Sequence, residues 1–337
     1  MARKKKYSKK ISFDKPGLRF ATPEEVANYR AKRLKSDTLA DISCGIGGQT
    51  IAFAKHCKKV FAIDLDPVKI KHAKENCRRY GITNVEFLCG DALSEEIINK
   101  IPEVDIIFSD PARPPSEKRR DIRNLQPPID KVMEAYSSKA SNFAFEVPPQ
   151  LTPERIPFSC EKEYLSFKGK LNRLNLYFGD LKKCDISAIL LPSEDMLCST
   201  GSKTIVEESK KLDRFAFEPD PAILQAGLLG ELIDSIKTKS SLKAYVIDSK
   251  RLLLISDTNC SHPFFKNQYE VVDVVEPDPI LINKKLKEHK AGNALLRGSI
   301  DPKYYWNFRK ILENGLEGTS KFHLFLTSKE AILCKKI

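Results

Sequence analysis

Five short apolar runs recur between residues 38 and 147, "TLADIS" (38–43), "KKVFAID" (58–64), "NVEFLC" (84–89), "VDIIFSD" (104–110) and "NFAFEV" (142–147), and amphipathic stretches separate them. Runs this apolar have no face to spare for water, so they fit strands of a parallel sheet covered on both sides by helices. "DPVKIKHAKENCRRYG" (66–81) reads as one of those helices, with Gly81 as its stop. The alternation predicts a doubly wound α/β domain, which places any ligand at the carboxyl ends of the strands.

Those ends are acidic. The first run gives Asp41 and then Gly45, Gly47 and Gly48; the second ends at Asp64; Asp91 follows the third; Asp110 closes the fourth. Glycines let backbone turn tightly and approach a ligand, and Asp64, 19 residues beyond Gly45, stands where a carboxylate accepts both hydroxyls of a ribose. The pattern points to a nucleoside. A nicotinamide dinucleotide would call for a third glycine at position 50, which is Thr50, and has no use for an acid four residues before the first glycine. Asp41 favours a ligand with positive charge near the loop and no pyrophosphate, and S-adenosylmethionine, with its ammonium and sulfonium, fits.

"TLADISCGIGGQTIAFA", "KKVFAIDLDPVKIKHAKENCRRYGI" and "VEFLCGDAL" together resemble the cofactor half of class I S-adenosylmethionine-dependent methyltransferases, most closely the branch of the trimethylguanosine synthases. With "LRFATPEEVANYRAKRL", "SDPARPP" and "FEPDPAILQAGLLGEL" the wider pattern is similar to class I methyltransferases that carry a THUMP-like C-terminal domain. The resemblance implies that Asp41, Cys44 and the turn from Gly45 through Gly47 to Gly48 hold the methionine moiety. It implies that Asp64 binds the ribose, that Leu65 packs on the adenine, and that Asp91, with Ala92 beside it, accepts from the exocyclic amine. Asp91 is open to a second reading as the cap of a helix over "ALSEEIINK".

"SDPARPP" should face the methyl acceptor, with Asp110, Pro111 and Arg113 as candidate catalytic residues. Methyl transfer is a displacement at an activated carbon, so alignment supplies most of the barrier reduction. Enzymes that methylate exocyclic amines often carry Asp or Asn, two prolines and an aromatic here; Ala112 and Arg113 depart from that pattern. Asp110 is left as the residue to orient or deprotonate the acceptor, and Arg113 as one to grip a phosphate or to form a salt bridge within the loop. "SNFAFEVPPQ" holds no thiol, which argues against a covalent cysteine route.

Charge narrows the partner. Residues 1–35 hold twelve lysines or arginines against three acids, leaving little of the net +12 for the rest of the chain. A basic arm over residues 1–12, expected to be disordered, suits a polyanion through counterion release; a solvated tail is the plain alternative. Residues 111–128, with five prolines and a net charge of +3, read as a long basic loop beside the acceptor site. Before the first strand, Thr22 should cap a helix with Pro23 at its first position and Glu25 completing a capping box.

Strands over "EKEYLSFKGKL" and "RLNLYFGDL" should form an antiparallel pair closing the sheet, with "ISAILLP" beside them. The methyltransferase domain is placed at 13–195 and a smaller α+β, THUMP-like domain at 213–337, in which Asp220 caps a helix beginning at Pro221. "YYWNF" (304–308) offers aromatics for base stacking, or a helix core. The nine scattered cysteines include no C-x-x-C pair and read as reduced thiols; no metal site is expected. No run approaches the roughly 20 apolar residues of a membrane span. The expected protein is a cytoplasmic S-adenosylmethionine-dependent methyltransferase acting on structured RNA, tRNA or rRNA. Its rivals are a small-molecule or protein methyltransferase, and an RNA-binding protein that keeps the cofactor fold without turnover.

Overall fold

Each of the five apolar runs becomes a strand: β1 (Thr38–Asp41), β2 (Lys59–Asp64), β3 (Val85–Cys89), β4 (Ile106–Ser109) and β5 (Asn142–Val147). In this computed structural model, which describes residues 7–14, 22–112, 120–236, 242–249, 251–298 and 300–337, the five are parallel in the order β3-β2-β1-β4-β5. β6 (Glu161–Phe167), β7 (Leu171–Tyr177), β8 (Ile186–Leu191) and β9 (Met196–Cys198) extend the sheet to nine strands, with β7 antiparallel between β5 and β6. The predicted closing pair is therefore present, and β8 lies beside β6 as expected. Leu39, Val60, Ile107 and Phe145 are wholly buried. Each such side chain contributes roughly 1.5–3 kcal/mol of burial free energy, which fixes the register of the strand ends.

Helices α1 (Glu24–Arg33), α2 (Gly48–Ala54), α3 (Pro67–Tyr80), α4 (Glu95–Lys100) and α5 (Ile129–Ala135) belong to this unit. α3 follows its sequence signals: the Asp66 carboxylate accepts from the Val68 N–H at 2.8 Å, Pro67 opens the helix, and Gly81 ends it at φ +73°. α1 departs from its signals. It begins at Glu24, Pro23 occupies the cap position, and no side chain caps it. Thr22 is buried, and its hydroxyl faces Arg173 Nη2 at 3.5 Å instead of the helix N–H groups.

The expectation of a disordered arm over residues 1–12 also needs correction. Residues 1–6 lie outside the described residues, but Tyr7 and Ile11 are buried against Ile46 and Tyr80. Two apolar side chains within the basic run anchor it, and composition alone obscured them. Ser8 adds a tie to α1, its N–H donating to Glu24 at 2.6 Å.

The chain divides into a unit of residues 1–200 with 225–228 and a unit of 201–224 with 229–337. The second has a seven-stranded sheet of β10 (Phe215–Pro219), β11 (Lys243–Asp248), β12 (Arg251–Ser256), β13 (Phe265–Val275), β14 (Ala291–Arg297), β15 (Ser320–Leu326) and β16 (Ala331–Lys336). Its order is β11-β12-β10-β13-β16-β15-β14, antiparallel except for the β14–β15 pair. The remaining helices are α6 (Pro221–Ala226), which the Asp220 carboxylate starts by accepting from the Ala222 N–H at 2.9 Å, α7 (Leu229–Ser235), α8 (Pro279–Glu288) and α9 (Pro302–Leu312). All nine cysteines are unpaired thiols. Among the described residues no group of three or more His, Cys, Asp or Glu could hold a metal ion, and no helix is long and apolar enough to cross a membrane.

Candidate cofactor and acceptor site

The turn after β1 is shaped by three glycines with separate reasons. Gly45 lies at φ +55° with nothing within 4 Å of where a Cβ would stand, so its bare backbone leaves open space for a ligand. Gly47, at φ +84°, faces α3 so closely that a Cβ would come within 3.0 Å of the Ala73 Cα. A Cβ on Gly48 would run into the Tyr7 hydroxyl. Asp41 lies behind the turn, 1% exposed; Oδ2 accepts from the Thr50 hydroxyl at 2.7 Å and Oδ1 from the Ser43 N–H at 3.4 Å. Burial pushes its carboxyl up to about 7, against the pull of those two donors. Cys44 is a buried thiol whose pKa burial raises well above the ordinary range, which disfavours the thiolate.

One strand over, Asp64 joins the same turn. Its Oδ2 accepts from the Gly45 N–H at 2.8 Å and its Oδ1 from the Asp66 N–H at 3.0 Å, which fixes the carboxylate beside the turn. Leu65 follows with 72% of its surface exposed. Beyond β3, Asp91 is exposed and closes a local turn by accepting from the Leu93 N–H at 2.9 Å. The cap of α4 is Ser94, so Asp91 is left for another role. Ala92 is buried, and its carbonyl accepts from the Tyr136 hydroxyl at 2.7 Å. Asp41, Asp64 and Asp91 thus follow or end three neighbouring strands of the sheet.

A support that sequence patterns did not reveal lies under the turn. Asn76, buried on α3, donates from Nδ2 to the Ile46 carbonyl at 2.9 Å and to the Ser12 carbonyl at 2.8 Å, while its Oδ1 accepts from the Ser12 N–H at 2.6 Å. One amide therefore joins the N-terminal segment to the glycine turn. An asparagine on the apolar face of a helix was the only signal available. The ribose assignment predicts that in isothermal calorimetry Asp64→Ala weakens S-adenosylmethionine binding about a hundredfold, through loss of an acceptor for two hydroxyls. Asn76→Asp keeps the acceptor for Ser12 but loses both donors, and should cost about tenfold although it touches no ligand. Unchanged affinity in the Asp64 variant would contradict the ribose assignment.

The candidate acceptor residues lie at the ends of β4 and β5. Asp110 is held by its own N–H, which donates to Ser43 Oγ at 2.6 Å, and it keeps an exposed face. Burial of its inner side and the charge of Glu146 push its carboxyl up to about 8, while Arg30 and Arg173 pull it down. Glu146, at the end of β5, is buried between those two arginines and ion-paired with both. Pro111 is buried behind Asp110. Arg113 lies outside the described residues, as do 114–119. The ends of the long loop are not structureless: Ala112 and Gln126 exchange backbone hydrogen bonds at 2.7 and 2.9 Å, and Ile122 and Leu125 are buried, so the segment is pinched closed beside Asp110.

Residues 36–156 match a family model described as RNA cap guanine-N2 methyltransferase. An uncharacterised S-adenosylmethionine-dependent methyltransferase of Mycobacterium tuberculosis is 24% identical over 224 residues, 64% of this chain and 60% of its own length. The trimethylguanosine synthase of Schizosaccharomyces pombe is 44% identical over 78 residues, 21% of this chain and 32% of that protein. The chain thus spans about 60% of the length of the first relatives it matches. A solved structure from Porphyromonas gingivalis W83, described as a candidate methyltransferase, superposes with a TM-score of 0.78 at 16% identity, covering 96% of this chain and 83% of that one, which shows a shared fold. Glycine turn, strand-end acids and matched segment coincide in the first unit, which is similar to the cofactor-binding domain of S-adenosylmethionine-dependent methyltransferases.

Proposed function

We propose that the chain methylates structured RNA, tRNA or rRNA. The observation that carries this reading is the tethering of the basic N-terminal run beside the cofactor turn: Tyr7 and Ile11 pack at Ile46, while Lys9 and Lys10 remain exposed and Arg3, Lys4, Lys5 and Lys6 precede them. A cationic segment fixed at that spot suits a phosphate backbone, whose binding is driven by counterion release. The bound cofactor supplies a methyl group activated on a sulfonium. Asp110 then orients the acceptor on its open face and takes its proton on a carboxylate oxygen, and the Glu146–Arg30–Arg173 cluster sets how readily it does so. The second unit is read as a THUMP-like, RNA-holding module, and the chain as cytoplasmic, in keeping with its nine unpaired thiols.

Mass spectrometry of nucleosides from total RNA, with and without the gene, tests the substrate class: one modified nucleoside should disappear with the gene. An unchanged nucleoside profile would exclude RNA as the acceptor. Removing residues 1–6 should weaken RNA binding and reduce the slope of log affinity against log salt by up to about 4, since four phosphate contacts are lost. Cofactor affinity should stay as it was, because the anchoring residues 7–12 remain. A salt slope equal to that of the full chain would assign the arm to solubility alone.

A further inference from the structure

The chain's single tryptophan, Trp306, is 76% exposed, and its neighbour Tyr304 is 57% exposed. The "YYWNF" segment is thus only partly helix core: Phe308 and Leu312 face inward against Leu286 and Phe322, whereas Lys303, Trp306, Asn307, Lys310 and Asn314 are exposed. Spacings of three and four put these five residues on one side of α9 and its C-terminal turn. Residues 302–312 contain no acid. Arg309 is engaged by the Tyr305 hydroxyl at 3.1 Å and the Glu313 carboxylate at 2.7 Å, while Lys303 and Lys310 have no ion pair among the described residues. Lys303 and Lys310 stand about 10 Å apart along the helix axis and bracket the indole. The ring is steadied from one side by the edge-on ring of Tyr305, with centroids 5.3 Å apart, and Lys303 Nζ reaches over the Tyr304 ring at 5.5 Å.

We infer that this face of α9 is a stacking platform for a single-stranded segment of RNA, with a base lying on Trp306 and the flanking phosphates meeting Lys303 and Lys310. An exposed indole has a large surface on which any base stacks, and two lysines placed on either side of it, neither ion-paired among the described residues, match a polyanion better than a neutral or basic protein surface. The inference rests on the RNA reading of the protein and adds to it the strand form recognised and the place where it docks.

Because Trp306 is the only tryptophan, it reports on its own surface. A short single-stranded RNA added to the full chain should quench Trp306 emission, excited where tyrosine does not absorb, whereas the same sequence as a duplex, or inorganic polyphosphate, should not. Trp306→Ala should weaken binding of that RNA about five- to a hundredfold, and Trp306→Phe should restore most of it, since a smaller ring still stacks. Lys303→Gln with Lys310→Gln should lower the salt slope by about 1.4, the single-strand value for two lost phosphate contacts, while the quench at saturation persists. Quenching by polyphosphate equal to that by RNA, or undiminished affinity in Trp306→Ala, would overturn the platform. A face built for a protein would leave emission unchanged by RNA at low salt, which overturns it as well. The readout is independent of turnover: if the nucleoside profile shows no methylated RNA but the quench is found, the methylation reading fails and the platform stands.

Discussion

Replacing Arg30 with Met should lower the stability of the first unit by about 3–4 kcal/mol, measured from denaturant midpoints, because it strands a buried carboxylate and two amides at once. Arg30 is 1% exposed on α1. Its Nε donates to Asn175 Oδ1 at 3.1 Å, Nη1 to Gln49 Oε1 at 2.8 Å, and Nη2 to Asn175 Oδ1 at 2.8 Å and to Glu146, while the guanidinium lies over the Phe108 ring at 5.1 Å. Burial alone would drive the guanidinium toward neutrality, but the Glu146 carboxylate overcomes it and holds the charge more firmly than usual. Next to it Arg33 donates to Glu161 at 2.6 Å and sits 3.3 Å from Glu163, both acids wholly buried. Removing one partner of such a lattice costs more than removing a matched pair, so Arg30→Met combined with Glu146→Gln should recover part of the loss. The effect should barely change with salt, because screening does not reach a pair without solvent. A loss below about 1 kcal/mol would mean that apolar packing alone seats α1 on the sheet.

This lattice marks the limit of what the sequence makes legible. Strand runs, Gly81 and Asp220 are local signals, set by residues within a few positions of one another, and each forms the element expected. The strand-end acids were readable for the same reason, since each follows its own strand. Arg30 and Arg33, by contrast, look like the solvated basic side of a helix, and their partners Glu146, Glu161 and Glu163 lie more than a hundred residues away. Periodicity carries no information about such pairing. Thr22 failed as a cap because a distant arginine, Arg173, claims its hydroxyl. Tyr7 and Ile11 were hidden by the lysines around them, and the pinch between Ala112 and Gln126 is a backbone contact that no residue type announces.

If Asp110 is the proton acceptor proposed above, Asp110→Asn should reduce turnover on the proposed RNA substrate by about 10²–10⁴, the range that a positioned proton acceptor supplies, while cofactor affinity changes little. The pH profile carries the sharper test. With its carboxyl raised to about 8, Asp110 is protonated below that value and cannot accept a proton, so wild-type turnover should climb as pH rises through about 8 and then level off. Asp110→Asn should abolish the climb. Glu146→Gln removes the like charge and frees Arg30 and Arg173 to act on Asp110, so its climb should move to lower pH. Stability runs the other way. The folded state holds a proton on Asp110 that the unfolded chain, near its ordinary value of about 4, has already released, so this group makes folding less favourable as pH climbs from about 4 to 8. Thermal unfolding above pH 8 should therefore occur later in Asp110→Asn than in the wild type, even though the variant has lost its turnover. An Asp110→Asn protein that turns over at the wild-type rate and keeps the climb near pH 8 would assign proton acceptance to another group.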